Sequence, residues 1–216
     1  MSKFKGIFLV VLFLCTLNMS FGVQRGSVQY SIPTDYSKIN EAELSTEAEN
    51  LFQAFLTSED PKQRYIILNQ LLSDYSILGE INKDNPLYFA RLGIVFDKLG
   101  KDRYAISNFS RSANILPDYP YAYYSFGNFY FDRGRYIKAL KLYKKAYDSG
   151  YDSHFYNIYQ IGRIYEKFGD FSSAILYYKR ALVFNDSPEL RQKILELEEL
   201  LNNNSLYNLR RGEIEQ

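Results

Sequence analysis

Nucleophiles, bases and metal ligands are scarce in this chain, which has one His (His154) and one Cys (Cys15). A zinc site needs companions that a single imidazole lacks. His154 follows the loop-like run Ser149-Gly150-Tyr151-Asp152-Ser153, so it reads as a residue that caps a helix or meets solvent, not as a general base or a ligand. Acid pairs such as Glu198-Glu199 read as the wet face of an amphipathic helix. The glycines recur at regular intervals and do not cluster into a phosphate loop. Lys138, Lys141, Lys144 and Lys145 sit on one helix; such a run is ordinarily a solvated face, with acidic lipid or partner charge as its other use. Over 216 residues, 26 basic and 25 acidic side chains leave a net charge of only +1. That balance, with Arg210-Arg211 as the one basic pair near the end, excludes a general nucleic-acid binder. The residue types therefore predict no enzyme, no cofactor, no metal and no small-molecule substrate.

Residues 1–22 have the pattern of a secretory signal peptide. Lys3 and Lys5 precede an apolar run from Ile7 to Leu17, and Ser20 and Gly22 make a small-x-small cleavage site before Val23. The run is shorter than the roughly 20 residues that span a bilayer. An exported protein of the periplasm or cell envelope is expected, with an uncleaved inner-membrane anchor as the alternative. Leu14 before Cys15 argues against lipidation. Cleavage would remove Cys15 and both Met, so the rest must hold together by packing, without disulfides.

The element that positions everything else is a repeat. Gly93, Gly127 and Gly162 are spaced by 34 and 35 residues. The same intervals separate Phe96, Tyr130 and Tyr165; Gly100, Gly134 and Gly169; and Ala105, Ala139 and Ala174. They also separate Phe109, Tyr143 and Tyr178, and Ser112, Ala146 and Ala181. Six columns in one register across three copies define the period. The extra residue must lie between Ala146 and Gly162. Each copy predicts two antiparallel helices: Asn85-Pro86 opens the first, Gly100 ends it in the left-handed region, and Pro117 stops the second. Gly93 and Ala105 supply small side chains where the helices approach, and larger ones there should cost about 1–3 kcal/mol.

These columns resemble the tetratricopeptide repeat (TPR) family, over residues 86–119, 120–153 and 155–188. The resemblance implies an all-α fold, a right-handed α-α superhelix of stacked antiparallel helix pairs. Ser112, where Ala is usual, departs from the pattern. Residues 23–40 lack periodicity and read as a flexible lead. Residues 41–78 predict a further hairpin, a degenerate repeat or a cap, with Asp60-Pro61 opening its second helix and Ser76–Asn85 linking it to the array. Ser187-Pro188 opens a capping helix over 188–201, with Leu190, Ile194, Leu197 and Leu201 facing the last repeat. Residues 202–216 read as a flexible tail.

The aromatic content is high: 21 Tyr and 16 Phe without Trp, 20 of them between Tyr119 and Tyr178. In proteins the repeats resemble, four positions of each first helix line a concave groove. Here those are Leu87, Ala90, Ile94 and Asp97; Tyr121, Tyr124, Asn128 and Phe131; and Tyr156, Tyr159, Arg163 and Glu166. The resemblance thus implies a partner-binding groove formed by Tyr121, Tyr124, Asn128, Phe131, Tyr156, Tyr159 and Arg163. Ala90 and Ile94 stand where the carboxylate-clamp class of such proteins has Lys and Asn, so an apolar or aromatic-bearing peptide is the expected ligand. The expected function is a non-catalytic scaffold of the cell envelope binding a protein or peptide. The alternative is a structural subunit or assembly factor of a pilus, secretion or outer-membrane machine, docked permanently through the same face. Tyr124→Ala with Tyr159→Ala is expected to remove capture while leaving helicity and melting intact.

Overall fold

The computed structural model describes the backbone of residues 36–214 and side chains through Asn203. Residues 1–22, read above as a signal peptide, and most of 23–40, read as a flexible lead, lie outside the described residues. Nine helices are described: α1 Glu41–Thr57, α2 Pro61–Ile81, α3 Pro86–Lys98, α4 Asp102–Ile115, α5 Pro120–Asp132, α6 Tyr136–Ala146, α7 Phe155–Lys167, α8 Phe171–Leu182 and α9 Pro188–Ile214. They form four antiparallel pairs and a closing helix, stacked as a right-handed α-α superhelix. The first helix α3 contacts α5 along the stack, while second helices pack on the first helices of the next pair.

The helix boundaries follow from local chemistry. Asp60 and Asn85 each accept a backbone N–H two residues on, at 2.9 and 3.0 Å, and Pro follows each cap. Gly100, Gly134 and Gly169 have φ of 69°, 67° and 76° and end the first helices. The same bond closes all three turns: the amide after each glycine donates to the carbonyl of Phe96, Tyr130 or Tyr165, at 2.8–3.0 Å.

The glycines inside the first helices act through size. A Cβ on Gly93, Gly127 or Gly162 would lie 2.5–2.6 Å from the ring of Phe109, Tyr143 or Tyr178 respectively. Each aromatic lies flat in the notch its glycine leaves, and Ala105, Ala139 and Ala174 are fully buried alongside. Ser112, the departure from the alanine column, is also fully buried and donates to the Pro86 carbonyl at 2.6 Å. Its hydroxyl therefore staples the end of α4 to the start of α3. The extra residue is absorbed in a wide π-type turn, Tyr147–Tyr151, which Gly150 leaves with φ 118°.

Two boundaries differ from those read in the sequence. The second helix of the N-terminal hairpin runs to Ile81, not 78, leaving residues 82–85 as the link. Its core merges with that of α3: Phe52, Phe55, Leu71, Tyr75 and Leu78 pack with Tyr88, Phe89 and Val95. At the other end Leu190, Ile194 and Leu197 pack on the last repeat, but α9 continues past Leu201 to Ile214. No Gly or Pro interrupts the helix between Pro188 and Gly212. The tail read for 202–216 is thus helical over 202–214.

Candidate partner-binding groove

The groove positions belong to α3, α5 and α7, and they do not form a uniform surface. At the α3 end, Arg91 dominates. Its guanidinium forms a two-pronged pair with Glu49 of α1, Nε to Oε1 at 2.9 Å and Nη2 to Oε2 at 2.7 Å. It lies 3.8 Å above the Phe52 ring and 4.9 Å from that of Tyr121, and it donates to the Tyr121 hydroxyl. Tyr75 of α2 donates to the same Glu49 carboxylate at 2.6 Å. Tyr121, a predicted groove residue, is therefore tied to the N-terminal hairpin. Burial pushes its hydroxyl pKa up, and that of neighbouring Tyr119 up to about 12, so both remain donors at neutral pH.

At the α5–α7 end the chemistry is aromatic. Tyr124 lies 5.2 Å edge-on from His154, 5.9 Å from Tyr151 and 6.0 Å from Tyr143. His154 stacks on Tyr151 at 4.3 Å with its ring nearly parallel. It also caps α7, because its Nδ1 accepts the Asn157 amide at 3.2 Å. That acceptor role requires a neutral imidazole, and burial lowers the His154 pKa in the same direction. Tyr159 stacks against Phe155 at 5.8 Å and contacts Tyr178 at 5.5 Å. Arg163 lies 4.5 Å above the Phe131 ring and 5.8 Å from Tyr159, and donates to Gln160 at 2.9 Å.

The seven predicted residues thus separate by availability. Tyr156 is open, with 59% of its surface exposed. Tyr124, Tyr159 and Arg163 are half-buried and keep an edge outward. Phe131 is only 9% exposed and belongs to the core under Arg163. Asn128 is committed inward, accepting the Tyr143 hydroxyl at 2.7 Å. Glu166 does the same for Tyr178 at 2.5 Å, and also pairs with Lys193 of α9 at 3.2 Å. The aromatic column of the second helices therefore uses groove-side polar atoms as its own acceptors. Sequence reasoning missed Glu49, Arg91 and Tyr151. Only Arg91 carries a visible signal, a lone cation in the apolar stretch Pro86–Phe96. Among the described residues no three His, Cys, Asp or Glu gather as metal ligands, and no helix is long and apolar enough to cross a membrane.

A stack of helical hairpins with glycine notches and aromatic plugs defines a class of α-solenoids. Residues 118–182 match the tetratricopeptide repeat family model. Those residues carry tetratricopeptide repeats, and the described helices on either side of the matched region continue the same helical stack. Among solved structures it is similar to PilF of Pseudomonas aeruginosa, with 16% identity and TM-score 0.59, over 78% of this chain and 74% of that one. It is similar to PilW, a type IV pilus biogenesis factor, with 18% identity and TM-score 0.59, over 74% and 69%. It is also similar to MamA from residue 41 of Desulfovibrio magneticus RS-1, with 15% identity and TM-score 0.58, over 81% and 95%. At these identities the likeness is one of fold. No curated protein matches the sequence.

Proposed function

We propose that the protein is a non-catalytic scaffold of the cell envelope that holds an apolar or aromatic-bearing peptide segment of a partner protein between α5 and α7. The observation that carries this reading is Tyr156, a large ring left in solvent beside the half-buried edges of Tyr124 and Tyr159 and the Arg163 guanidinium. Tyr and Arg beside a rigid floor are the side chains that concentrate binding energy at interfaces. The floor is set in advance by glycine notches and stacked rings, so little ordering is required of the scaffold on binding. The envelope setting is supported by the signal-peptide pattern of residues 1–22 and by the fold likeness to PilW, a pilus biogenesis factor.

Selection from a random-peptide display library tests the reading. Enriched peptides should carry apolar or aromatic anchors and bind with Kd near micromolar, about −8 kcal/mol. Tyr156→Ala and Arg163→Ala should each weaken them at least about tenfold, more than about 1.4 kcal/mol. Peptides that bind both variants as tightly as the parent would place the contact elsewhere.

A further inference from the structure

The second helices carry a charge pattern the groove does not use. α6 holds exposed Lys138, Lys141, Lys144 and Lys145 and no acid, and α8 adds Lys179 and Arg180, again with no acid. The repeat interval puts Lys144 beside Lys179 and Lys145 beside Arg180 on adjacent hairpins, so the cations form a ladder. Carboxylates gather instead near the ends of the stack, at Glu41, Glu43, Glu47 and Glu49 on α1 and at Glu189, Glu196, Glu198 and Glu199 on α9. Acids also lie near the ladder, Asp148 just past α6 among them, and α9 carries Arg191 and Lys193, so the bias belongs to the helix faces of α6 and α8 themselves. Internal partners neutralise the ladder only in part. Lys179 pairs with Glu198 at 2.6 Å, and Lys145 with the exposed Asp118 at 3.6 Å. Lys144 donates to the Tyr165 hydroxyl, and Lys138 lies 5.2 Å from the Tyr130 ring. Lys141 makes no ion pair among the described residues.

Large apolar side chains stand in water among these cations. Ile137 is 78% exposed, Leu176 65% and Val183 77%. At the start of α6, a cleft of ≈ 270 Å³ is lined by Gly134, Arg135, Tyr136, Ile137, Lys138 and Phe168, with two cations and no acid.

We propose that this outer face of α6 and α8 docks peripherally on an anionic phospholipid bilayer. Ile137 and Leu176 reach past the headgroups while Lys138, Lys141 and Lys145 meet phosphates. A polybasic helix face is the pattern that anionic lipid attracts. Beyond the small cleft at Ile137 the apolar tips stand apart on separate helices, and a fluid surface admits each tip independently. Flexible lysine stems suit phosphates at varying depth, where a fixed carboxylate or nucleic-acid partner favours the arginine fork. Nucleic acid would also leave the apolar tips without a use.

Vesicle flotation tests the proposal with residues 32–216, which hold every described helix and omit the apolar N-terminal run. Phosphatidylcholine vesicles with and without phosphatidylglycerol are the probes. The parent protein should float with the anionic vesicles and not with the neutral ones, and should release at about 1 M salt, where charges are screened beyond about 3 Å. Lys138→Glu, Lys141→Glu and Lys145→Glu together should weaken binding at least about tenfold. Lys38→Glu, Lys62→Glu and Lys83→Glu, which change net charge equally but lie near α1 and α2, should leave it unchanged. Equal binding to neutral vesicles, equal loss in both triple variants, or binding of acidic peptide or DNA without vesicles would overturn the proposal. The salt and lipid dependence of the parent decides it even if the α6 variant misfolds.

Discussion

The two ends of the first-helix face solve the same packing problem with different chemistry. Near α1–α3 an ion pair closes the face: Arg91 is gripped by Glu49, flanked by Phe52 and roofed by Tyr121. Near α5–α7 rings predominate, with Arg163 laid over Phe131 and Tyr159 but gripped by no carboxylate among the described residues, and Tyr156 is left outside. One repeat geometry thus gives a sealed end, whose polar groups satisfy one another, and an unsealed end, whose rings still have faces to offer. The contrast teaches that aromatic richness does not by itself leave a face available; what stays available is aromatic surface that no internal charge or hydroxyl has claimed.

The sealed end should be the more fragile to deletion. The Arg91 and Glu49 side chains are 11% and 30% exposed. Removing one member of such a pair leaves the other charge without its partner in a poorly hydrated place, at about 3–5 kcal/mol. Arg91→Ala should therefore lower stability by about that amount in urea unfolding, and Glu49→Ala on an Arg91→Ala background should cost much less. If each change costs the same alone as together with the other, the pair does not seal the end.

A second change at the same end should stabilise. Asp74 of α2 is buried, accepts a hydrogen bond from Gln70 at 2.7 Å, and has its pKa raised from 3.8 to about 6. Burial is the main cause, hydrogen bonding to Gln70 opposes it, and the charge of Glu47 adds to it. Between these two values the folded state binds the extra proton, so stability falls as pH rises from about 4 to about 6, and the penalty persists above. Asp74→Asn should then raise stability at neutral pH by up to about 3 kcal/mol, less whatever the Gln70 contact loses. It should also flatten the melting temperature between about pH 4 and pH 6.

Much of the fold was legible because it rests on size and periodicity. Gly93, Gly127 and Gly162 meet the predicted aromatic column, and Gly100, Gly134 and Gly169 end helices as their spacing required. The groove was less legible because availability is a tertiary property. Phe131 and Tyr156 are both aromatics at predicted groove positions, yet one lies beneath Arg163 and the other projects into water. The expectation that Tyr124→Ala and Tyr159→Ala leave melting intact does not fit the packing. Each ring touches a buried tyrosine of the second-helix column, Tyr143 or Tyr178, so truncation opens a gap beside it. Tyr156 is the cleaner probe.

The unsealed end should respond to acid in the opposite sense from Asp74. His154 caps α7 only while Nδ1 is unprotonated, and burial holds its folded pKa below 6.5. A lowered pKa means the unfolded state takes up the proton first, so the stability His154 contributes is present above pH 6.5 and drains away as pH falls through the lowered folded value. The loss should reach about 1 kcal/mol, the usual worth of an N-cap, and should be local: α7 amides near Asn157 lose exchange protection while α2 amides near Asp74 gain it. His154→Asn keeps an acceptor at the cap without a titrating group, so it should hold protection at α7 constant over that range. If α7 loosens equally in His154→Asn, the acid response comes from elsewhere in the stack, and the imidazole among Tyr124, Tyr151 and Tyr156 acts as one more ring.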